Sequence, residues 1–407
     1  MRKKTNKSQE ESFLMSIIKQ KTDQAIKILK ELNIDLWLTY VRKTSEIHDP
    51  ALFFLLEDQW LTWQSALIIC KDGQKIAICG RYDAQNIENS GIYDSVISYD
   101  ESIKEPLLNI LDKLNPRQIA INYSIDNIAA DGITHGMWIR LNKMLEGTEY
   151  SERLVSSENL LAALRGRKTK AEIDSIKKAV EISEEGHRKV TESAKLGVSE
   201  EDIEKMLLKF TEDNGLIVSY PPLIHIGPST NIGHGKASPD IRIEKGNLIN
   251  VDYGVFYEGY ASDLQRMNYI LQDGEDMPPN EVRRAFETCF KAISTGAEKL
   301  KPGVLGWEVD YAARKMITDA GYEEFKHALG HQIGRCVHDG GCLLGPRWEK
   351  YGQSVMYKVE ENQCFTLELH VYVPNHGYCS IEEDVVVTKN GCEFLSDRQM
   401  ELTLIKP

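Results

Sequence analysis

Two pairs of acidic residues, each in a run of strand-forming residues broken by a turn, are the part of this sequence best suited to chemistry: Asp252 with Asp263, and Glu368 with Glu382. Carboxylates that face each other on antiparallel strands repel, because their Cβ atoms are only about 4.5–5.5 Å apart. A solvated strand face would explain one pair. Two pairs on apolar strands favour a shared cation, and paired divalent metals about 3.5–4 Å apart are a known catalytic arrangement.

The pairing depends on where each turn is centred. A first turn centred between Tyr257 and Glu258 places Asp252 directly opposite Asp263, and a shift of one residue makes them a diagonal pair. A second turn centred on Asn375 places the two glutamates directly opposite each other. The sequence therefore predicts two acidic hairpins.

A neutral ligand is needed to complete a site built from four carboxylates, and His331 is the best candidate. It lies in the segment Gly330-His-Gln-Ile-Gly334, where the flanking glycines allow the backbone to approach a site closely. A histidine between glycines is often structural, but the two acidic hairpins favour a ligand here.

The elements that must position these residues fall into two regions. The N-terminal region alternates helices and strands, which indicates an α/β domain. Its predicted helices cover residues 17–32 and 103–114, and its predicted strands cover residues 34–40, 65–70, 75–79 and 118–122.

The second region repeats one pattern, two helices followed by strands that end in an acidic hairpin. Thr169 and Glu172 form a predicted capping box at the first helix, and Ser199 caps the second. The pattern returns with helices over about 280–300 and 306–320. A fold with this pseudo-two-fold symmetry would place the two hairpins side by side, so that four carboxylates converge.

Composition limits the function classes. A chain of 407 residues with 42% hydrophobic and 27% charged residues is typical of a soluble protein with more than one domain. Its net charge of -13 argues against nucleic acid as a partner. Eight cysteines without a Cys-x-x-Cys pair favour reduced thiols and a cytoplasmic setting, and the absence of a long apolar run argues against a membrane span.

The five candidate ligands resemble, in order and spacing, the Asp-Asp-His-Glu-Glu set of the creatinase/methionyl-aminopeptidase (pita-bread, M24) metallopeptidase family. The segments around them are similar too: Val251-Asp-Tyr-Gly254, Ser262-Asp-Leu-Gln-Arg266, Gly330-His-Gln-Ile-Gly334, Phe365-Thr-Leu-Glu368, and Ile381-Glu382 before Val385-Val-Val-Thr388. The preceding α/β region looks like the N-terminal domain of Xaa-Pro peptidases and creatinase, which methionyl aminopeptidases usually lack.

The resemblance implies an α/β (α+β) chain with a creatinase-like N-terminal domain over residues 1–160 and a pita-bread catalytic domain over residues 161–407. It implies a dinuclear metal-dependent exopeptidase that hydrolyses the bond between an N-terminal residue and proline, as an aminopeptidase or a dipeptidase. It further implies two divalent metal ions per chain, with Mn expected and Co or Zn as alternatives, a short peptide substrate, and a homodimer.

Individual roles follow from the same resemblance. Asp252 would bind one metal, His331 and Glu368 the other, and Asp263 and Glu382 would bridge the two. Glu368 would also act as general base and acid. Two further histidines, His234 and His338, match the family's substrate histidines, which bind the scissile carbonyl and stabilise the tetrahedral oxyanion.

Three departures from the family pattern affect the expected specificity. Gln332 replaces the middle glycine of the histidine motif and is expected to narrow the pocket, Asp339 replaces the glutamate usual after His338, and Leu369 replaces the proline usual after Glu368. None of them removes a ligand.

Two other functions are compatible with the family. A creatinase-like hydrolase of a small non-peptide C–N bond is disfavoured because creatinase works without metals and lacks the full ligand set. A catalytically silent binding protein is disfavoured because such relatives have typically lost ligands. His225, His370 and His376 match no motif and are left unassigned.

Overall fold

The computed structural model describes residues 4–56, 59–228 and 235–407, with the backbone alone for residues 4–12. The chain divides into two compact units, Met1–Arg165 and Gly166–Pro407. The boundary expected after residue 160 falls within the helix Glu158–Gly166. Among the described residues, no helix combines the length and the apolar character that crossing a bilayer requires.

The first unit is a mixed six-stranded sheet with helices. Its helices are α1 (Lys4–Leu32), α2 (Arg81–Ser90), α3 (Lys104–Leu114), α4 (His135–Leu145) and α5 (Glu158–Gly166). Its strands are β1 (Leu36–Val41), β2 (Ser65–Cys70), β3 (Lys75–Gly80), β4 (Ser95–Tyr99), β5 (Ile119–Ile121) and β6 (Leu154–Ser156). The strand order is β4-β3-β2-β1-β5-β6. The predicted helices and strands of this region are confirmed.

Both faces of this sheet are covered, which explains why its strands are apolar throughout rather than alternating. In β1, Trp37 packs into the cluster that includes residues of α1, whereas Leu36 and Leu38 pack into the cluster that includes residues of α3 and α4. All six residues of β1 are buried. A strand buried on both sides reads as a continuous apolar run.

In its described residues, the second unit contains four α-helices and two principal hairpins. Its helices are α6 (Lys170–Ser193), α7 (Glu200–Asp213), α8 (Asn280–Lys299) and α9 (Gly306–Asp319). Its strands are β7 (Ile217–Val218), β8 (Leu223–Ile226), β9 (Leu248–Tyr253), β10 (Val255–Tyr257), β11 (Tyr260–Ala261), β12 (Leu264–Ile270), β13 (Gly330–His331), β14 (Leu343–Leu344), β15 (Cys364–Val373), β16 (Gly377–Val387), β17 (Cys392–Phe394) and β18 (Thr403–Ile405). The main sheet has the order β15-β16-β12-β9-β8.

The predicted repeat of two helices and a hairpin is present. The capping box between Thr169 and Glu172 forms at the start of α6, and Ser199 caps α7. Residues of α8 and α9 pack against β15 and β16, and residues of α6 and α7 pack against β8 and β9. Each helix pair therefore covers its own half of the sheet.

The second acidic hairpin has the predicted register. Val373 pairs with Gly377, and Glu368 pairs directly with Glu382. Asn375 has a φ of 66° and Gly377 a φ of 109°, so the turn uses residues that tolerate left-handed backbone.

The predicted register of the first acidic hairpin is wrong by one residue. Tyr257 pairs with Tyr260, which leaves Glu258 and Gly259 as a two-residue turn with φ values of 50° and 75°. Positive φ at both central residues is the geometry that matches the twist of a hairpin, and glycine supplies it easily. The turn therefore centres between Glu258 and Gly259, and Asp252 and Asp263 are a diagonal pair.

Candidate metal centre

Four polar residues lie side by side across the main sheet and form what we call the carboxylate row: Asp252, Gln265, Glu382 and Glu368. Asp252 pairs with Gln265, Gln265 with Glu382, and Glu382 with Glu368. Paired residues on neighbouring strands project from the same face. Three acids from both hairpins therefore share one face of the sheet.

Asp263 joins the row from one step away. It lies between β11 and β12, and its backbone N–H donates to Oδ2 of Asp384 at 3.1 Å. Ligand atoms of Asp263, His331 and Glu382 lie within 4.8 Å of one another. His331 Nε2 is 3.5 Å from Asp263 Oδ2 and 3.9 Å from Glu368 Oε1. The structure thus brings the predicted ligands together.

His331 is held so that its Nε2 faces the acids. The Gly330 backbone is so close to the Thr366 carbonyl that a Cβ would lie 1.9 Å from that oxygen. His331 Nδ1 is 3.3 Å from the Gln332 carbonyl, which can only accept, so Nδ1 carries the proton. Burial, and then nearby His338, lowers the pKa of His331 to about 3. The ring is neutral and Nε2 has a free lone pair.

The acids strongly disfavour being charged together. Burial, and then Asp263, raises the pKa of Asp252 well above its usual range. Burial and the neighbouring acids do the same for Glu368 and Glu382, and burial raises the pKa of Asp263 to about 6. Such shifts are typical of carboxylates that share a site without a neutralising cation.

Sequence reasoning missed Tyr220, whose hydroxyl donates a shared hydrogen bond to Asp252 Oδ1 and Asp263 Oδ1. Burial, followed by the two aspartates, raises the pKa of Tyr220 well above its usual range, so the hydroxyl keeps its proton. The only sequence signal is Pro221, which favours extended backbone at the residue before it.

Gln265 was also missed as a site residue. Its Nε2 donates to Glu382 Oε2 at 3.1 Å. Its Oε1 accepts from Ser380 Oγ at 2.6 Å and from Asn250 Nδ2 at 3.4 Å. These contacts fix which end of the amide points at Glu382. Only the correct hairpin register reveals that Gln265 lies between two acids.

The two predicted substrate histidines have different outcomes. His338 is exposed, and its ring meets the ring of His331 edge to face at a centroid distance of 4.1 Å. His234 lies outside the described residues. Asp339 forms a buried ion pair with Lys168 at 2.9 Å, so it anchors the loop that carries His338.

Leu369 and Gln332 are the other two departures from the family pattern, and both are buried in the fold. Leu369 points away from the site, is fully buried in the apolar core and pairs with Ile381, so the strand continues where a proline would interrupt it. Gln332 is 1% exposed and donates to the Cys342 carbonyl at 3.3 Å. A Cβ on Gly340 would lie 2.4 Å from the Gln332 amide carbon, so the glutamine occupies the space beside that glycine.

A cavity of about 640 Å³ opens over these residues. Its walls include Asp252, Glu368, His331 and His338, and also the unassigned His225 and His370. The third unassigned histidine, His376, instead bonds the Gly246 carbonyl through Nδ1 at 2.8 Å.

The residues fit the implied divalent metals. Buried carboxylates with raised pKa values, a neutral imidazole with a free Nε2, and fixed orientations of Asp252, Asp263 and Glu382 together form a donor set of oxygen and nitrogen atoms. Such a set suits a hard or borderline divalent cation.

Comparison with known proteins agrees with this geometry. The sequence profile described as metallopeptidase family M24 matches residues 174–389, more than half of the chain. The Xaa-Pro dipeptidase of Pyrococcus furiosus is 31% identical over 247 residues, which cover 60% of this chain and 67% of that protein. The Xaa-Pro dipeptidase of Lactobacillus delbrueckii is 27% identical over 83% of this chain and 88% of its own.

Solved structures share the fold. Dipeptidase PepE from Mycobacterium ulcerans matches with a TM-score of 0.75 at 22% identity, over 97% of this chain and 99% of that one. The Xaa-Pro dipeptidase from Bacillus anthracis matches with a TM-score of 0.73 at 22% identity, over 95% of this chain and 100% of that one. These matches confirm the predicted fold class, a pita-bread unit preceded by an α/β domain.

Proposed function

This chain belongs to metallopeptidase family M24, and from that premise we propose that it is a dinuclear metal-dependent exopeptidase acting on the bond between an N-terminal residue and proline. The observation that carries the proposal is the convergence of Asp263, His331 and Glu382 within 4.8 Å beside a cavity of about 640 Å³. The names of the two dipeptidase relatives support the substrate class.

Five residues would hold the metals: Asp252, Asp263, His331, Glu368 and Glu382. When bound, a pair of divalent cations polarises a carbonyl group and lowers the pKa of a water molecule toward neutrality. Tyr220 keeps the two aspartates in place through its shared hydrogen bond, and Gln265 does the same for Glu382. This support reduces the reorganisation needed when charge develops in the transition state.

Two groups of the chain would move or stabilise charge on the substrate. Glu368 lies at the cavity wall, where its carboxylate would take a proton from the attacking water and return it to the leaving nitrogen. His338 is exposed beside His331 and would donate a hydrogen bond to the scissile carbonyl oxygen. His234 is proposed for the same task from the family pattern alone.

Proline specificity follows from the chemistry of the substrate. A proline after the scissile bond has no amide N–H, so the pocket must recognise ring shape and the imide carbonyl. The position of Gln332 beside the cavity supports a narrow pocket that only a chain end can enter.

We propose a cytoplasmic homodimer that works with manganese, with a domain boundary near residue 160. Seven cysteine thiols are free, which supports a reducing compartment: Cys70, Cys79, Cys289, Cys342, Cys364, Cys379 and Cys392. The oxygen-rich donor set supports manganese over softer metals.

One assay tests the proposal. The metal-reconstituted protein is offered four substrate classes: Xaa-Pro dipeptides, longer Xaa-Pro peptides, Met-starting peptides without proline, and creatine. We expect release of the N-terminal residue from the Xaa-Pro substrates alone. Cleavage of creatine only, or turnover of none of the four, would contradict the proposed function.

A further inference from the structure

A second row of residues crosses the main sheet, two residues away along each strand from the carboxylate row. We call it the histidine row, and its members are His225, Asn250, Met267, Ser380 and His370. His225 pairs with Asn250, Asn250 with Met267, and Ser380 with His370. The row lies on the same face as the carboxylate row because side chains of a strand repeat every two residues. Its two histidines, at the two ends, line the cavity.

The cavity extends from the carboxylate row toward the histidine row. On the side of the carboxylate row opposite to the histidine row, Thr366 pairs with Asp384, and neither residue has exposed surface. Beyond the histidine row, a groove of about 490 Å³ shares His370 and Tyr378 with the cavity and is lined by residues 321–326. The part of a peptide substrate that follows the scissile bond therefore has space on the side of His370.

A pair of histidines fixes which hydrogen-bonding group His370 presents. His327 Nδ1 is 2.7 Å from the Ala328 carbonyl, which can only accept, so Nδ1 carries the proton and Nε2 is bare. His327 Nε2 lies 3.0 Å from His370 Nδ1. A bare nitrogen can only accept, so His370 Nδ1 is the donor and the Nε2 of His370 is left with a free lone pair.

We propose that His370 determines the length of the substrate: its Nε2 accepts a hydrogen bond from the amide N–H that follows proline, and the enzyme therefore prefers tripeptides and longer peptides to free dipeptides. The inference rests on the proposed function. A free dipeptide ends at this position in a carboxylate, which offers acceptors only and is repelled by the lone pair on Nε2.

The spacing agrees with this amide and not with the N-terminal amine. Two residues of strand separate the rows by roughly 7 Å. One residue of peptide spans at most about 3.3–3.6 Å, so the amide nitrogen after proline lies roughly 5 Å from the scissile carbon. The side chain of His370 can span the remaining distance between the histidine row and this amide nitrogen. The N-terminal amine is two bonds from the scissile carbon and stays at the carboxylate row.

The test uses two peptides that differ in one group, Ala-Pro-Ala-amide and its depsipeptide, in which an ester oxygen replaces the N–H after proline. Both are also made with a methylene in place of the scissile carbonyl, so that calorimetry gives dissociation constants without turnover. Wild type should bind the amide roughly two- to tenfold more tightly than the ester, the range of one neutral hydrogen bond. His370→Phe should bind the two equally, and the control His135→Phe, which changes an exposed histidine of the first unit, should keep the wild-type difference.

A further variant tests the orientation of the ring and covers the case in which His370→Phe does not fold. His327→Phe leaves His370 in place but removes the acceptor of its Nδ1 proton. The tighter binding of the amide over the ester should therefore decrease. The ratio of kcat/KM for Ala-Pro-Ala-amide to kcat/KM for Ala-Pro should decrease as well. Equal binding of amide and ester by wild type, or an unchanged preference in both His370→Phe and His327→Phe, would overturn the inference. Failure of wild type to cleave any Xaa-Pro peptide would instead contradict the proposed function, and the calorimetry would still decide the role of His370.

Discussion

Each of the two units of this chain contains a buried aspartate, and burial raises the pKa of each to about 6. The surroundings of these two aspartates differ. In the first unit, Asp49 accepts hydrogen bonds from Asn122 Nδ2 at 3.0 and 3.1 Å and from the Ala51 N–H at 2.8 Å. In the second unit, Asp263 faces other acids and the bare Nε2 of His331.

The difference shows that a buried acid does not by itself mark a metal site. Hydrogen bonds from Asn122 and the Ala51 N–H stabilise the carboxylate of Asp49, and the nearby charge of Arg165 opposes the rise of its pKa. No second acid is needed to explain its position. The acids around Asp263 have too few donors of their own, so a cation is the partner that would make the cluster stable when charged. We propose that the supply of hydrogen-bond donors is what separates the structural acid, Asp49, from the candidate metal ligand, Asp263.

Replacing an acid by its amide should separate the two units most strongly. Glu368→Gln removes the proposed proton carrier, which is also a proposed metal ligand, so kcat/KM on Xaa-Pro peptides should fall by about 10⁴-fold, the upper range for general acid–base catalysis. The matched change in the first unit, Asp49→Asn, should leave kcat/KM within about twofold of wild type. A comparable loss in both variants would remove the distinction between the two acids.

The pH dependence of stability should show the cost of burying Asp49. Its pKa of about 6 in the folded protein lies above the value of about 3.9 in the unfolded chain, so the folded state binds the proton more tightly. The resulting stability is present below about pH 4 and is lost as the pH rises to about 6, on the order of 3 kcal/mol. Asp49→Asn has no such proton. The free energy of unfolding of the metal-saturated protein should decrease from pH 4.5 to pH 7, and it should decrease less for Asp49→Asn than for wild type. An equal decrease in both proteins would contradict this account of the first unit.

His338 should affect chemistry without affecting the metals. His338→Ala removes a proposed hydrogen-bond donor to the scissile carbonyl, and kcat should fall by roughly 10²-fold, the size typical of one lost oxyanion donor. Metal content, measured by elemental analysis, should equal that of wild type because His338 is not among the five proposed ligands. Turnover at the wild-type rate would exclude His338 from the site.

Proline selectivity is the smallest expected effect. Matched Xaa-Pro and Xaa-Ala peptides should differ by roughly tenfold or more in kcat/KM, within the range that pocket shape can provide. Equal rates on both series would reject the proline assignment while leaving the metallopeptidase chemistry intact.

The two hairpins also show what sequence could and could not predict. The glutamate pair was located correctly because Pro374-Asn375-His376 forms a turn whose centre the residue types indicate. The aspartate pair was displaced by one residue because Glu258 adopts a positive φ, which its residue type does not suggest.

The supporting residues were not accessible to sequence reasoning for a related reason. Gln265 reaches the site only because it pairs with Asp252 and Glu382, which depends on the true register. Tyr220 reaches two aspartates from 32 and 43 positions earlier in the chain, a contact that no local pattern encodes. The candidate ligands and their order could be predicted from the sequence, whereas the residues that orient them depend on long-range packing.

We propose that the acidic cluster of the second unit binds two metal ions, and metal content tests this proposal most directly. The protein is saturated with manganese, freed of excess metal by gel filtration, and analysed for metal per chain beside Asp263→Ala and Asp49→Asn. We expect close to two ions in wild type and Asp49→Asn, and loss of most of them in Asp263→Ala. Wild-type protein without bound metal, or Asp263→Ala with an unchanged metal content, would contradict the claim.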